Sequence, residues 1–202
     1  MKIGIYAGTF DPVHRGHIQF ACDAISAATL DTVVIVAEKN PYRKRPHASW
    51  DHRQAMIERA TQSVEQVDHD YEFANMLAHQ HTMNDVLRIA TAHYGTDNDF
   101  WFLVGSDVFE HMKAWQDIAS TQQYGGFVVA LRDNHSREWL DVKMQELADR
   151  GIEVNTVVID SAHPHVSSGQ VRTAVKGGSC PATVHDAVGA YISTHGLYQT
   201  TA

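Results

Sequence analysis

The first 37 residues place the strongest constraint on the fold, because they contain a strand, a helix and a second strand in succession. Residues 2–7 are rich in Ile and Tyr and predict a buried strand, and residues 17–30 have helical character. Thr32–Ala37 reads Thr-Val-Val-Ile-Val-Ala, a continuous run typical of a strand that is covered on both faces. This order predicts a βαβ unit with parallel strands and a right-handed crossover.

The same alternation continues through the rest of the chain. Helices are predicted over residues 49–64, 82–94, 136–150, 168–176 and 183–195, and strands over residues 100–104, 126–131 and 152–159. We therefore expect an α/β fold: a Rossmann-like, doubly wound, mostly parallel sheet with helices on both faces. Since no linker and no repeat of fixed period interrupts the pattern, residues 1–202 are expected to form one domain.

Composition and charge argue against several classes of protein. A net charge of −8 argues against a general nucleic-acid binder, since affinity for a phosphate backbone comes from Lys and Arg. The chain has no run of 18 apolar residues and no signal-peptide pattern, which argues against a membrane protein or a secreted one. The two cysteines, Cys22 and Cys180, are too few for a disulfide framework. We expect a cytoplasmic protein that does not bind membranes.

Ligands of such sheets bind beyond the carboxyl ends of the strands, so the loops that follow strands should gather at one edge. Here these loops are residues 8–17, 38–44, 105–107, Arg132 and the segment after Asp160. They are also the loops richest in functional groups. One stretch, residues 38–53, carries five cations and two anions in an otherwise acidic chain, which indicates a small anionic ligand.

Residues 8–17 read Gly-Thr-Phe-Asp-Pro-Val-His-Arg-Gly-His. A helix that begins near Gly16 would aim unpaired N–H groups at the space above the loop, a ready site for phosphate. His14 and His17 are three positions apart and can converge on one ligand. A zinc site would need further ligands at suitable spacing, and the two cysteines form no CxxC motif.

This stretch resembles the signature of the nucleotidyltransferase superfamily with the (His/Thr)-x-Gly-His motif. Four further segments resemble one branch, the nicotinate-nucleotide adenylyltransferases: Asn-Pro-Tyr-Arg-Lys at 40–44, Leu-Val-Gly-Ser-Asp at 103–107 with Trp115 beyond, Val-Ser-Ser-Gly-Gln-Val-Arg at 166–172, and the ending at 188–198. The resemblance spans nearly the whole chain. It implies that about residues 165–202 form a helical subregion that completes the phosphate site.

The resemblance implies transfer of the adenylyl group of ATP to nicotinate mononucleotide, with Mg²⁺ accompanying ATP, in NAD biosynthesis. No protein ligand set for a metal is expected. The implied catalytic residues are His14, His17, Lys44 and Arg172. ATP is expected to contact Gly8, Thr9, Phe10, Gly16, Gly105, Asp107, Ser167 and Ser168. The acceptor is expected to contact Asp11, His81, Thr82, Trp115 and Arg132.

Three departures from the branch pattern leave the acceptor open. Gln80-His81-Thr82 replaces the usual Ser-Tyr-Thr, Arg132-Asp133-Asn134 replaces Arg-Pro-Gly, and Gly169 replaces a threonine. Nicotinamide mononucleotide, which differs from the nicotinate form only in its carboxamide, is the alternative acceptor. A catalytically inactive nucleotide-binding regulator is a further alternative. The partners expected are small molecules, with homo-oligomerisation left open.

Overall fold

The structure is a computed structural model that describes residues 1–41, 44–77, 82–111, 125–131, 135–160 and 166–199. Within these ranges the strands are β1 Lys2–Gly8, β2 Thr32–Ala37, β3 Val67–Asp68, β4 Asp99–Gly105, β5 Gly126–Leu131 and β6 Thr156–Asp160. The helices are α1 Arg15–Ala28, α2 Trp50–Thr61, α3 Tyr71–Met76, α4 Met83–Tyr94, α5 Val108–His111, α6 Arg137–Ala148, α7 Ser168–Lys176 and α8 Asp186–Thr194.

All six strands belong to one sheet in the order β3-β2-β1-β4-β5-β6, and every pairing is parallel. The chain first moves outward from β1 to β2 and β3, and then returns to the other side of β1 to add β4, β5 and β6. The order therefore reverses between β1 and β4, which opens a crevice at the carboxyl ends of these two strands. The predicted doubly wound parallel sheet is confirmed.

The sheet is covered on both faces. In β2 every residue from Val33 to Ala37 is buried, whichever way its side chain points. Continuous burial of this kind requires a layer of helices on each side of the strand. Gly4 of β1 shows how closely the layers approach, since a Cβ there would come within 2.8–3.0 Å of side-chain atoms of Val33, Leu103 and Leu30.

Most predicted elements are confirmed, and the differences are confined to short elements and to ends. Thr32–Ala37, Gly126–Leu131 and Ser168–Lys176 have the predicted bounds. The pattern missed β3, α3 and α5, which are 2, 6 and 4 residues long and too short to show a period. The last strand begins at Thr156 rather than 152, because the amide of Ile152 belongs to the turn after α6, where it donates to the carbonyl of Leu147 at 3.0 Å.

The region from residue 166 to residue 199 packs against the first loop of the sheet. The amide of Arg15, at the start of α1, donates to the carbonyl of Thr183 at 2.8 Å, and its guanidinium donates to the carbonyl of Ala182 at 2.9 Å. After α8 the chain turns at Gly196, whose φ of +59° lies in the left-handed region in which helices often end. None of the helices in the described ranges is long and apolar enough to cross a bilayer.

Candidate active site

A cavity of about 630 Å³ lies at the carboxyl edge of the sheet. As predicted, the loops that follow β1, β2 and β4 meet there, joined by the start of α7. Its walls include residues of the first loop (Gly8, Thr9, Phe10, Asp11, His14, Gly16, His17), the second loop (Glu38, Lys44, His47), the β4 turn (Gly105, Asp107) and α7 (Ser167, Ser168, Gly169, Arg172).

The two histidines of the first loop form one unit at the start of α1. The helix begins at Arg15, two residues earlier than predicted, with His14 as its N-cap and His17 as its third residue. The rings stack with centroids 3.6 Å apart, and the amide of His14 donates to Nδ1 of His17 at 3.2 Å. Because Nδ1 accepts a hydrogen bond, the proton of a neutral His17 is assigned to Nε2, which makes Nε2 the donating atom.

Phe10 supports the loop from below. It is 3% exposed and adopts a φ of +45°, which is rare for a bulky residue. Its ring meets those of Tyr6 and His17 edge to face, with centroids 5.1 Å and 5.0 Å apart. A Cβ on Gly8 would lie 3.1 Å from this ring, so Gly8 lets the aromatic ring pack directly beneath the loop backbone. Contact of Phe10 with ATP stays a prediction.

Asp11 holds the loop in place through contacts with two distant segments. Its carboxylate accepts from the amides of His47 and Ala48 at 2.7 Å and 3.0 Å, and from the hydroxyl of Tyr198 at 2.8 Å. The side chain is 4% exposed. These protein donors already occupy both carboxylate oxygens of Asp11, so an acceptor would have to compete with them. The predicted contact of Asp11 with the acceptor stays a prediction.

The start of α7 faces the same loop from the other side of the cavity. The hydroxyl of Ser167 caps the helix by accepting from the amide of Gln170. Ser168 donates its hydroxyl to the carbonyl of Pro12 at 2.8 Å, and Arg172 donates to the carbonyl of Asp11 at 2.6 Å. Both side chains thus bind the first loop. The amides of Ser168 and Gly169, the first two of α7, have no acceptor within their own helix and are donors suited to an anion.

The described cations of residues 38–53 lie in two different environments, one exposed and one buried. Lys44 is exposed and lines the cavity, and its predicted catalytic role stays a prediction. Arg53 was counted with this loop, but that grouping is wrong, because Arg53 is 1% exposed and lies within α2. It donates to the carbonyls of Thr9 and Glu38 at 2.7 Å and 2.8 Å and so ties the first loop to the second.

Glu38 adds a carboxyl group beside these cations. Glu38 is exposed to solvent on one side, but partial desolvation by the surrounding protein raises its pKa and outweighs the charges of Lys44 and Arg53, which lower it. The ammonium group of Lys44 supplies positive charge at this wall of the cavity.

The residues predicted for the acceptor are only partly described. His81, Trp115 and Arg132 lie outside the described residues, so their predicted roles stay predictions. Thr82 is the N-cap of α4 and exchanges hydrogen bonds with Asp85, from which its hydroxyl accepts at 3.3 Å and to which it donates at 2.9 Å. Its contact with the acceptor also stays a prediction. In the described ranges no three His, Cys, Asp or Glu residues gather as a metal site would need.

Several residues that shape the site had no role in the sequence analysis. Tyr198 and His47 contact Asp11, and His135 contacts both Ser106 and Glu110 beneath the β4 turn. Tyr198 lies in a segment that the resemblance covers, so the sequence held a signal for it. His135 follows Arg132-Asp133-Asn134 in a stretch that departs from the branch pattern, and nothing in the sequence pointed to it.

Comparison with known proteins agrees with this geometry. Residues 5–174 match the model of a family described as cytidylyltransferase-like. A protein of Neisseria meningitidis serogroup A named probable nicotinate-nucleotide adenylyltransferase is 30% identical over 202 residues, which cover 98% of each chain. Another of that name, from Solibacter usitatus, is 28% identical over 203 residues, covering 98% of this chain and 100% of the relative.

Solved structures show the same fold. The nicotinic acid mononucleotide adenylyltransferase of Plasmodium falciparum complexed with NaAD superposes with a TM-score of 0.76, at 16% identity, over 98% of this chain and 97% of that one. The same enzyme complexed with APC gives a TM-score of 0.72 over 98% and 96%. The chain therefore belongs to the cytidylyltransferase-like family and, within it, to the nucleotidyltransferases of the nicotinate-nucleotide adenylyltransferase type.

Proposed function

We propose that the protein joins ATP to nicotinate mononucleotide, giving deamido-NAD and pyrophosphate. One observation supports this most strongly: the N-termini of α1 and α7 meet around the first loop, with His14, His17 and Arg172 on the wall of one cavity. Two helix N-termini and several donors suit a polyphosphate. The names of the relatives supply the acceptor, and the complex of the Plasmodium enzyme with NaAD agrees with them.

The reaction needs positioned charge more than proton transfer. An oxygen of the 5′-phosphate of nicotinate mononucleotide attacks the α-phosphorus of ATP, and a new P–O bond forms. The bond from the α-phosphorus to the bridging oxygen breaks, and its electron pair leaves with pyrophosphate. Because the attacking phosphate is already ionised near neutral pH, no general base is required. Catalysis then comes from alignment of the two phosphates and from stabilisation of the transition-state charge.

The described residues divide this work between them. Nε2 of His17 is the donor that we assign to the α-phosphate, where charge develops on the equatorial oxygens. Lys44 and the first-turn amides of α7 are assigned to the β- and γ-phosphates, which leave together. Arg172, whose guanidinium also holds the carbonyl of Asp11, adds positive charge beside the first loop. His14 stacks on His17 and fixes the plane of its ring.

Magnesium is proposed as part of the ATP substrate. Among the described residues, no three His, Cys, Asp or Glu side chains lie close enough together to hold a metal ion. Mg²⁺ keeps several waters and binds readily to substrate phosphates, so the triphosphate and water can hold it. The ion would neutralise phosphate charge while the residues of the chain orient the α-phosphorus.

The proposal is tested with purified protein, MgATP and one mononucleotide at a time, by following pyrophosphate release and identifying the dinucleotide. We expect release with nicotinate mononucleotide and a kcat/KM for it at least tenfold above that for nicotinamide mononucleotide. The reverse preference would assign the alternative acceptor. Absence of pyrophosphate with either acceptor would contradict an adenylyltransferase and favour the inactive regulator.

A further inference from the structure

A buried histidine joins three elements behind the β4 turn. Nδ1 of His135 lies 2.8 Å from the hydroxyl of Ser106, and its Nε2 lies 2.9 Å from a carboxylate oxygen of Glu110 in α5. The face of the ring stacks on Trp139 of α6, with centroids 3.8 Å apart and planes 4° from parallel. Both edges and one face of the imidazole are therefore held by different elements.

The hydrogen bonds fix a consistent proton arrangement. A carboxylate can only accept, so the Nε2–H of His135 donates to Glu110. In the neutral ring Nδ1 then accepts, and the hydroxyl of Ser106 donates to it. Ser106 is fully buried, which excludes it as a nucleophile toward a substrate in the cavity. Its hydroxyl instead anchors the turn in which it lies.

That turn contributes both neighbours of Ser106 to the cavity. Gly105 and Asp107 line it, whereas the side chain of Ser106 points away from it into the interior. Apolar residues at the carboxyl ends of β4 and β5 also line the cavity: Leu103, Val104, Ala130 and Leu131. Apolar groups together with the carboxylate of Asp107 suit a purine ring and the hydroxyls of its ribose.

We infer that His135 is a positioning residue for the adenosine half of ATP: through Ser106 it sets the Gly105–Asp107 turn, and through Glu110 it ties α5, which follows this turn, to the start of α6. The inference rests on the proposed function in one respect, that the cavity takes ATP. It does not depend on which acceptor reacts. It goes beyond phosphate chemistry, because the residue acts on nucleoside binding at a distance from the reacting atoms.

The two hydrogen bonds of His135 are not equivalent in their consequences. Ser106 is fully buried, so water cannot replace the hydrogen bond that its hydroxyl makes with His135. The side chain of Glu110 is 43% exposed, so water can replace the imidazole there. The contact with Ser106 should therefore carry most of the effect on the turn.

Two substitutions separate the contacts. In His135→Asn the amide oxygen can take the place of Nδ1 and still accept from Ser106, while in His135→Gln the amide nitrogen can take the place of Nε2 and reach only Glu110. We expect His135→Gln and Ser106→Ala each to weaken binding of ATP roughly five- to tenfold, as loss of a buried hydrogen bond predicts. His135→Asn should stay within about twofold of the parent protein.

The measurement is titration calorimetry with the α,β-methylene analogue of ATP and Mg²⁺, without acceptor, so that it does not depend on turnover. Steady-state kinetics with both substrates accompanies it, and there a positioning role raises KM for ATP while kcat changes little. Leu147→Ala is the matched control, because Leu147 is buried in α6 and its loss destabilises that helix without touching the ring.

The outcomes are distinct. Binding of the analogue without turnover would refute the proposed function and leave the inference to be judged on affinity alone. Unchanged affinity in His135→Gln, or an equal loss in Leu147→Ala at matched stability in urea, would overturn the inference. A parent protein that does not bind the analogue would overturn both. The double variant Ser106→Ala/His135→Gln should be no weaker than either single one, since both remove the same contact.

Discussion

At the scale of the single residue, the orientation of His17 is set before any substrate arrives. Its Nδ1 accepts from the amide of His14, its ring stacks on that of His14, and Phe10 meets it edge to face. A donor held in this way need not reorganise as charge develops on a phosphate. Pre-set donors of this kind stabilise a transition state more than a ground state.

Replacing His17 by Ala should therefore lower kcat by about 100-fold or more, as removal of a pre-set donor does in other sites. KM for ATP should change by less than about fivefold, because the other phosphate donors remain. Steady-state kinetics with varied ATP checks both constants. His17→Gln, whose amide nitrogen can reach the place of Nε2, should recover part of kcat, and a variant that raises KM while it leaves kcat intact would contradict the assignment.

At the scale of elements, a cluster outside the cavity joins α3 to α4. Asp70, the N-cap of α3, accepts from the amide of Phe73 at 2.8 Å and from the hydroxyl of Tyr94 at 3.0 Å, and it lies 2.8 Å from Nε2 of His93. Burial by itself raises the pKa of Asp70, but these hydrogen bonds outweigh it and bring the pKa below the ordinary value. The ionised form is thus favoured in the folded state.

The lowered pKa of Asp70 determines whether acid raises or lowers the stability of the protein. A carboxyl whose pKa is lower in the folded state stabilises the protein above its unfolded pKa, near 4, and this contribution disappears as the pH falls through the folded pKa. Asp70→Asn should lower the free energy of unfolding at pH 6, and its difference from the parent should shrink below about pH 4. Urea unfolding at several pH values measures it. Asp97→Asn, in an exposed turn, is the control, and a difference that is constant with pH would contradict the role of the charge.

Elements with a clear local sequence pattern could be predicted, whereas elements that depend on residues far away in the chain could not. β2 shows a β-branched run and α7 a Ser cap, and both have the predicted bounds. β3 contains two residues that pair with β2, so only the sheet defines it. Among site residues, His14 and Lys44 lie in the motifs that predicted them. The burial of Arg53 depends instead on carbonyls 15 and 44 positions away, which no local pattern shows.

At the scale of the whole molecule, the first loop is built from both ends of the described chain. Tyr198 donates to Asp11 across 187 positions, and Arg172 donates to the same residue across 161. Burial raises the pKa of Tyr198, and the nearby charge of Asp11 raises it further, so the phenol stays protonated and donates. The first loop therefore depends on a contact between the beginning and the end of the described chain.

Tyr198→Phe should remove this donor and leave one oxygen of a buried carboxylate poorly satisfied. We expect a loss of about 1–3 kcal/mol in the free energy of unfolding, together with weaker binding of ATP, because the loop loses its anchor. Urea unfolding and calorimetry measure the two effects. Tyr71→Phe removes a hydroxyl from a tyrosine that is 56% exposed and should change neither. A Tyr198→Phe variant with the stability and affinity of the parent would show that the contact is dispensable.

The contact between Asp11 and Tyr198 also has a consequence in time. A ribosome that makes about 5–20 residues per second needs roughly 10 to 40 seconds to travel the 187 positions from one to the other. During that interval β1 and its loop can already exist, while the partner that fixes the loop has not been made. The part of the site that is translated first is thus the part completed last, and a nascent chain that stops before α8 carries the motif without its anchor.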